Sequence, residues 1–360
     1  MSTVILHAES SLGLGGQEIR IMTETRWLLA HGWDALVACQ PESRLLVAAR
    51  AAGLPFVAVK MRGPVDLRAI AALRRLAKER EVALVHTHSS IDSWAATLAA
   101  KTLGLPVVRS RHVSIPIPRR RALVYRLADR VITSGDAIRD VVRAAGVKAE
   151  RIVSIPAGVD TTRFHPGVSG GAVRKELGLT GPVAGLVAMV RGSKGHRFFL
   201  EAAREILQAL PETRFLIVGD GIGYEDVKRR VREMGLEQAV IMTGFRTDIP
   251  EVMAALDVLV LPSVRSEATS QVIPQALAVG TPVVATATGG IPEIIRDGET
   301  GRLVPPADPH ALAHAILSLL RDRAYARQLA QAGQALVRER YTIEQMMAQT
   351  TRVYAELTGR

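Results

Sequence analysis

Five short stretches of the 360-residue sequence combine chemically capable side chains with glycines or a helix start that would leave room for a ligand. Gly13-Leu14-Gly15-Gly16-Gln17-Glu18 follows an apolar run and opens a helical pattern. Bare backbone amides at such a start favour an anion such as phosphate, and a tight structural turn is the alternative. A dinucleotide fingerprint would need a third glycine where Glu18 stands, so the spacing excludes a nicotinamide or flavin cofactor of that type. In Arg191-Gly192-Ser193-Lys194-Gly195-His196, two cations sit beside two glycines after an apolar run. Arg191 offers a planar fork and Lys194 a point charge, a pairing suited to a diphosphate, with a solvated basic turn as the alternative.

In the third stretch, residues 266–286, Ser270 reads as an N-cap and Pro274 as a first-turn residue. The carboxylate of Glu267 then lies just ahead of a positive helix end, and Gln275 follows one turn into the helix. Taken alone, such a glutamate is only a favourable charge on the helix dipole. In the fourth, Arg109, Arg111 and His112 lead through Ile115-Pro116-Ile117-Pro118 to Arg119-Arg120-Arg121. Arginines flanking isoleucines suit an anionic membrane surface, where each cation adds about 1 kcal/mol. His112 has a second reading, as a strand-end histidine satisfied by backbone groups. The fifth is His86-Thr87-His88, in which two ring donors lack a third ligand at a useful spacing, so no metal is expected.

The elements that must position these residues alternate between short β-branched runs and helical patterns, the rhythm of parallel βαβ units. Strands are expected at 4–7, 35–39, 56–59, 83–86, 107–109, 131–133 and 152–155, and again at 183–189, 215–218, 240–242, 258–261, 283–285 and 301–304. Helices are expected at 17–31, 69–79, 252–256, 309–320, 324–339 and 343–357. The reading is two tandem doubly wound parallel-sheet domains, 1–167 and 172–338, joined at the Gly/Pro-rich residues 165–171. A terminal helix over 342–358 is expected to pack back on the first domain. In open parallel sheets ligands bind beyond the carboxyl ends of strands, where all five stretches fall.

Composition narrows the class. The chain is 48% hydrophobic and 22% charged, too apolar for a disordered or fibrous protein. No run approaches the roughly 18 apolar residues of a membrane span. One cysteine, Cys39, excludes an intramolecular disulfide framework and points to a reducing compartment. With no basic segment ahead of the first apolar run, a secretory leader is not expected and the cytoplasm is the expected location. The net charge is +11, and it is lopsided: residues 1–165 hold 24 basic and 14 acidic side chains, residues 166–360 hold 22 and 21. The first half therefore suits a polyanion such as an anionic membrane or a phosphorylated glycolipid, unless the arginines merely solubilise the surface. Aromatic residues are sparse near the basic segment, so stacking platforms for single-stranded nucleic acid are missing and no nucleic-acid partner is expected.

Glu267 to Gln275 with Gly280-Thr281-Pro282-Val283-Val284 and Gly289-Gly290-Ile291-Pro292-Glu293 resembles the retaining glycosyltransferases of family 4, which have the GT-B fold. The similarity continues through Gly15-Gly16-Gln17-Glu18, residues 85–89, residues 158–166, Gly219-Asp220-Gly221 and Thr243-Gly244-Phe245-Arg246, in the family's order. The resemblance implies a sugar nucleotide, with UDP-sugars favoured, bound mainly by the second domain, an acceptor bound by the first, and reaction in the cleft between them. It assigns Arg191 and Lys194 to the diphosphate, with the Gly15 and Gly16 amides approaching it. It assigns Glu267 to donor-sugar hydroxyls, the amides of Ser270, Gln271 and Val272 to sugar or phosphate, Arg246 to the loop meeting the base, and His112 to the neighbourhood of the donor sugar. Gln275 stands where the family usually has a ribose-binding glutamate, Ala268-Thr269-Ser270 replaces the common Gly-Phe-Gly, and Met189 occupies the usual place of the phosphate-binding arginine.

The expected activity is metal-independent, cofactor-free hexosyl transfer with retention, onto a lipid-linked or lipopolysaccharide-type saccharide, by a peripheral enzyme on the inner face of the cell membrane. The acceptor and membrane side is assigned to Arg109, Arg111, Arg119, Arg120 and Arg121. A nucleotide-sugar 2-epimerase of the same fold, needing no acceptor, is the enzyme alternative, and a basic nucleic-acid-binding protein is the alternative of another class.

Overall fold

A computed structural model describes residues 3–265, 267–268 and 270–360. The chain divides into two units: the residues up to Ala157 together with Glu344–Arg360, and Gly158–Ile343.

The first unit is built on seven parallel strands, β1 (Val4–Glu9), β2 (Asp34–Cys39), β3 (Phe56–Ala58), β4 (Val82–Thr87), β5 (Val107–Arg111), β6 (Arg130–Thr133) and β7 (Ile152–Ser154). They lie in the order β3-β2-β1-β4-β5-β6-β7, so the direction of winding reverses between β1 and β4. The second unit has six parallel strands, β8 (Val183–Val187), β9 (Arg214–Val218), β10 (Val240–Gly244), β11 (Val258–Leu261), β12 (Val283–Thr286) and β13 (Arg302–Val304), in the order β10-β9-β8-β11-β12-β13, with its reversal between β8 and β11. All thirteen expected strand positions are occupied. The expected fold class, two doubly wound parallel-sheet domains, is therefore the one observed.

The strands read as continuous apolar runs because both faces of each sheet are covered. Along β11, Val258 and Val260 enter one core with Phe199, Phe215 and Ile316, while Leu259 and Leu261 enter another with Ile273, Leu277 and Val183. This is the two-residue alternation of a pleated strand, used on two buried faces. Helix starts follow from capping chemistry: Asp66, Asp308 and Asp322 each accept backbone N–H bonds at the heads of Leu67–Glu79, Pro309–Arg321 and Arg323–Arg340.

The domain boundary differs from the sequence expectation. The Gly/Pro-rich residues 165–171 lie inside the second unit, and the division falls at Ala157/Gly158. One of their glycines serves close packing, since a Cβ on Gly170 would lie 2.2 Å from the Ala255 nitrogen, and the preceding Phe164 is buried in the core beside Val159 and Val173. The helix Ile343–Thr358 follows, and its residues from Glu344 onward group with the first unit, where the buried Tyr354 hydroxyl meets His86 Nδ1 at 2.6 Å.

Candidate functional site

In the second unit the loops leaving β8, β9, β11 and β12 are tied together by backbone contacts that glycine alone permits. After β8 a single 3-10 turn, Gly192–Lys194, ends in Gly195 at φ +73°, which starts the helix His196–Ala209. A Cβ on Gly195 would stand 1.8 Å from the Pro262 carbonyl oxygen. The Val264 N–H donates to the Ser193 carbonyl at 2.9 Å, joining the loops after β8 and β11. The strand expected to run to 189 stops at Val187, because Val190 turns to pair with the loop after β9: its N–H donates to Asp220 at 2.9 Å and its carbonyl accepts from Gly223 at 3.0 Å.

This scaffold brings Lys194 and Glu267 together from 73 positions apart. The Lys194 ammonium donates to both Glu267 carboxylate oxygens, at 2.5 and 2.8 Å, and the two side chains are 15% and 5% exposed. The Glu267 backbone is held as well, since its carbonyl accepts the Gly290 N–H at 3.1 Å and a Cβ on Gly289 would lie 1.8 Å from that oxygen. Arg191, immediately before the 3-10 turn, is exposed and its guanidinium bonds to no described residue. His196 is buried beside Lys194, and desolvation followed by that cation pushes its pKa down to about 4, so it is neutral at pH 7.

The helix after Glu267 spans Val272–Val279 and its N-cap is Gln271, one residue later than expected. Ser270 is buried just ahead of it, and Pro274 occupies the third helical position, where the absent N–H costs no helix bond. The Ser270, Gln271 and Val272 amides bond to no other described backbone group, while the Gln275 N–H is taken by the Gln271 carbonyl at 3.2 Å. The half-buried Gln275 side chain has no hydrogen-bond partner among the described residues. Ser266 and Thr269, which fall within this motif, lie outside the described residues.

Arg246 differs from its expected use. Its guanidinium is bracketed by Glu176 at 2.7 and 2.9 Å and Asp248 at 2.8 and 2.6 Å, which raises its pKa and lowers both carboxyls. The fork is thus committed to protein carboxylates, and the exposed group at this corner is the neighbouring Phe245 ring, 77% accessible.

The first unit carries its polar residues at the carboxyl ends of β1, β4 and β5. Gly15 does not keep a bare amide: its N–H donates to Glu18 Oε2 at 2.7 Å, the reciprocal arm of a capping box, so of the two glycines Gly16 alone presents an N–H uncommitted among the described residues. Glu9 accepts the Ser11 N–H at 2.7 Å and the Gln17 amide; burial and the nearby Asp92 charge push its pKa up to about 8. Arg109 and Arg111 are not part of an exposed basic face. Arg109 sits on β5 at 4% exposure, and both guanidiniums converge on the Tyr125 hydroxyl, at 3.3 and 3.0 Å. They line a cavity of about 370 Å³ with His88, His112, Trp94, Ile117 and Arg121; Arg119, Arg120 and Arg121 are exposed on the helix Arg119–Leu127, and of these three Arg121 reaches the cavity. His112 stacks parallel to His88, and burial together with Arg20, Arg109 and Arg111 holds its pKa well below the ordinary value.

The pair His86 and His88 acquires further neighbours that spacing could not show. His7 from β1 and Glu24 from the helix Gly16–Ala30 bring their donor atoms within 4.8 Å of those of the pair, all fully buried. The donor set is largely engaged within the protein. His86 meets Tyr354 at 2.6 Å and Ser110 at 2.8 Å, His7 meets His88 at 3.0 Å, and Glu24 accepts from Arg20 at 2.7 Å. An ion here would have to displace Tyr354 from His86 Nδ1, so the cluster fits a buried polar network better than a metal centre.

Comparison with known proteins accords with this arrangement. Residues 14–163 match the family Glycosyltransferase Family 4, and residues 181–322 match Glycosyl transferases group 1. The 2-deoxystreptamine glucosyltransferase of Streptomyces kanamyceticus is 28% identical over 92% of this chain and 94% of its own. The UDP-Gal:alpha-D-GlcNAc-diphosphoundecaprenol alpha-1,3-galactosyltransferase of Escherichia coli is 28% identical over 72% and 71%. The crystal structure of Anabaena HepE in complex with UDP and glucose superposes with a TM-score of 0.86 over 99% of this chain and all of that one, at 23% identity, and so shares the fold. The chain belongs to family 4 of the glycosyltransferases, GT-B enzymes that use a nucleotide-sugar.

Proposed function

We propose that the protein transfers a hexosyl group from a UDP-sugar to a lipid-linked or lipopolysaccharide-type saccharide, with retention and without a metal ion, while resting on the inner face of the cell membrane. The observation that carries the donor half is the Lys194–Glu267 pair, with Arg191, unpartnered among the described residues, at the head of the turn that ends in Lys194. Two of the three Lys194 N–H donors are spent on Glu267, leaving one for a phosphate oxygen, and Arg191 supplies a second cation. The amides of Ser270, Gln271 and Val272, which bond to no other backbone group among the described residues, add a helix start to the same charge, so the leaving diphosphate is met by fixed dipoles and cations. Glu267, held in place by Lys194, takes donor-sugar hydroxyls, and Gln275 takes ribose hydroxyls through its amide. Arg246 acts by bracing the corner at which the Phe245 ring can meet the base.

In the transfer itself, the acceptor hydroxyl oxygen bonds to the anomeric carbon on the face from which the phosphate departs, and the breaking bond's phosphate oxygen takes the hydroxyl proton. His112, neutral at pH 7, serves as a hydrogen-bonding group rather than a cation. The relatives' names support a UDP-linked donor and a lipid-linked acceptor, since the E. coli relative is named for UDP-Gal and a diphosphoundecaprenol acceptor. No helix among the described residues is long and apolar enough to cross a membrane, and the exposed Ile115 and Leu123 next to Arg119, Arg120 and Arg121 suit surface attachment. The test is the melting-temperature shift with UDP, GDP and ADP, each with and without magnesium. A shift with UDP that magnesium does not alter is expected; a magnesium requirement, or a shift with GDP or ADP alone, overturns the donor assignment.

A further inference from the structure

We infer that the cavity of the first unit is a binding site for an anionic group, a phosphate or a carboxylate, carried by the acceptor. The acceptor role rests on the reading above; the anion site rests on its own residues. Three arginines line this cavity, Arg109 from within β5, Arg111 from its end and the exposed Arg121 from the helix that follows. Arg109 is 4% exposed, yet its Nε and Nη1 have no hydrogen-bond partner among the described residues, and neither has the Nε of Arg111. Their shared acceptor is the Tyr125 hydroxyl, with the Ile115 carbonyl taking one further Arg111 N–H. No described carboxylate lies within ion-pair distance of either. The nearest acidic influence, Asp92, spends its oxygens on Ser10 and the amides of His88 and Ser89.

Buried cations without a counter-charge are costly to a folded protein, and unsatisfied N–H groups in a forked array match the oxygens of a phosphate or carboxylate. The lining also includes Trp94, Ile115 and Ile117, against which a sugar face or an apolar linkage can lie. A volume of about 370 Å³ admits one charged sugar residue or a sugar phosphate rather than an oligosaccharide. A phosphate on a lipid-linked sugar and the carboxylate of an acidic sugar share this chemistry.

Calorimetric titration with inorganic phosphate, glucuronate and glucose separates the sources. The expected result is binding of at least one anion, absence of binding by glucose, and a dissociation constant at least tenfold weaker in Arg109→Met. The same anion should still bind Lys194→Ala, which places it outside the donor unit. Arg109→Lys keeps the charge and loses the fork, and an intermediate affinity is expected. In anion-free buffer Arg109→Met should melt no lower than the wild type. A lower melting temperature, unaltered anion affinity in Arg109→Met, or no anion binding by the wild type would overturn the inference. The UDP-induced melting shift, measured in the same variants, reports separately on the donor reading.

Discussion

Replacing Lys194 with methionine should destabilise the protein in a pH-dependent way that only a stranded buried carboxylate produces. Lys194 is the sole described cation within ion-pair distance of Glu267, whose side chain is 5% exposed. Removing one member of a buried pair costs about 3–5 kcal/mol, because the remaining charge is left desolvated. Proton uptake offers an escape, which at pH 7 costs ~3.7 kcal/mol for a carboxyl of ordinary acidity, so the loss is bounded near that figure. At pH 5 the same uptake costs ~1 kcal/mol, and the penalty should shrink accordingly. The sign follows from linkage: in the variant the folded carboxyl binds its proton more tightly than the unfolded one, so stability falls as pH rises. The assay is urea denaturation of wild type, Lys194→Met, Glu267→Gln and the double variant at pH 5 and 7. The double variant should recover most of the loss, since a neutral amide replaces the stranded charge. A Lys194→Met penalty that is the same at both pH values, or a double variant no more stable than Lys194→Met, would refute the reasoning.

In turnover, Glu267→Ala and Lys194→Ala should each remove most of the activity, and near wild-type rates in both would remove them from the donor site. Gly195→Ala and Gly289→Ala place a Cβ 1.8 Å from a backbone oxygen at positive φ, so each should lower the melting temperature by several degrees, read by calorimetry. Glu9, with its pKa raised to about 8 by burial and Asp92, should make the wild type lose stability as pH rises from about 4.5 to 8, by up to ~1.4 kcal/mol per unit; Glu9→Gln should flatten that slope in pH-stepped denaturation. Replacing Arg119, Arg120 and Arg121 with alanine should weaken sedimentation with anionic vesicles by about 3 kcal/mol, or roughly a hundredfold, and equal wild-type binding to neutral vesicles would exclude the docking role.

Much of the fold was legible from local pattern. Strands buried on both faces must be short apolar runs, and helices between them must repeat at three and four, so thirteen strands could be placed before any contact was known. Glycines that permit close approach, such as Gly195 and Gly289, announced the loops that carry Lys194 and Glu267. Composition misled at residues 165–171, where glycine and proline signalled a linker but the segment lies within the second unit and Gly170 packs tightly against Ala255.

What a side chain is paired with was decided by tertiary structure alone. Arg246 looks like a free cation in sequence, and Glu176, 70 positions earlier, is what occupies it. Gly15 reads as a bare amide until the Glu18 carboxylate turns back on it. Arg109 belongs by sequence to a basic surface run, but the alternation of β5 turns it, with Arg111 two positions on, toward a cavity in which Arg109 is buried while Arg119 and Arg120 stay exposed on the helix outside it. His86 and His88 suggest an incomplete metal pair, and His7, Glu24 and Tyr354 complete the polar network from elements up to 268 positions away. Residue type and spacing determine local conformation because backbone sterics and hydrophobic periodicity act over a few residues. Whether a charge is spent or free depends on neutralising partners supplied by other strands and helices, and their nearness exists once the chain has folded.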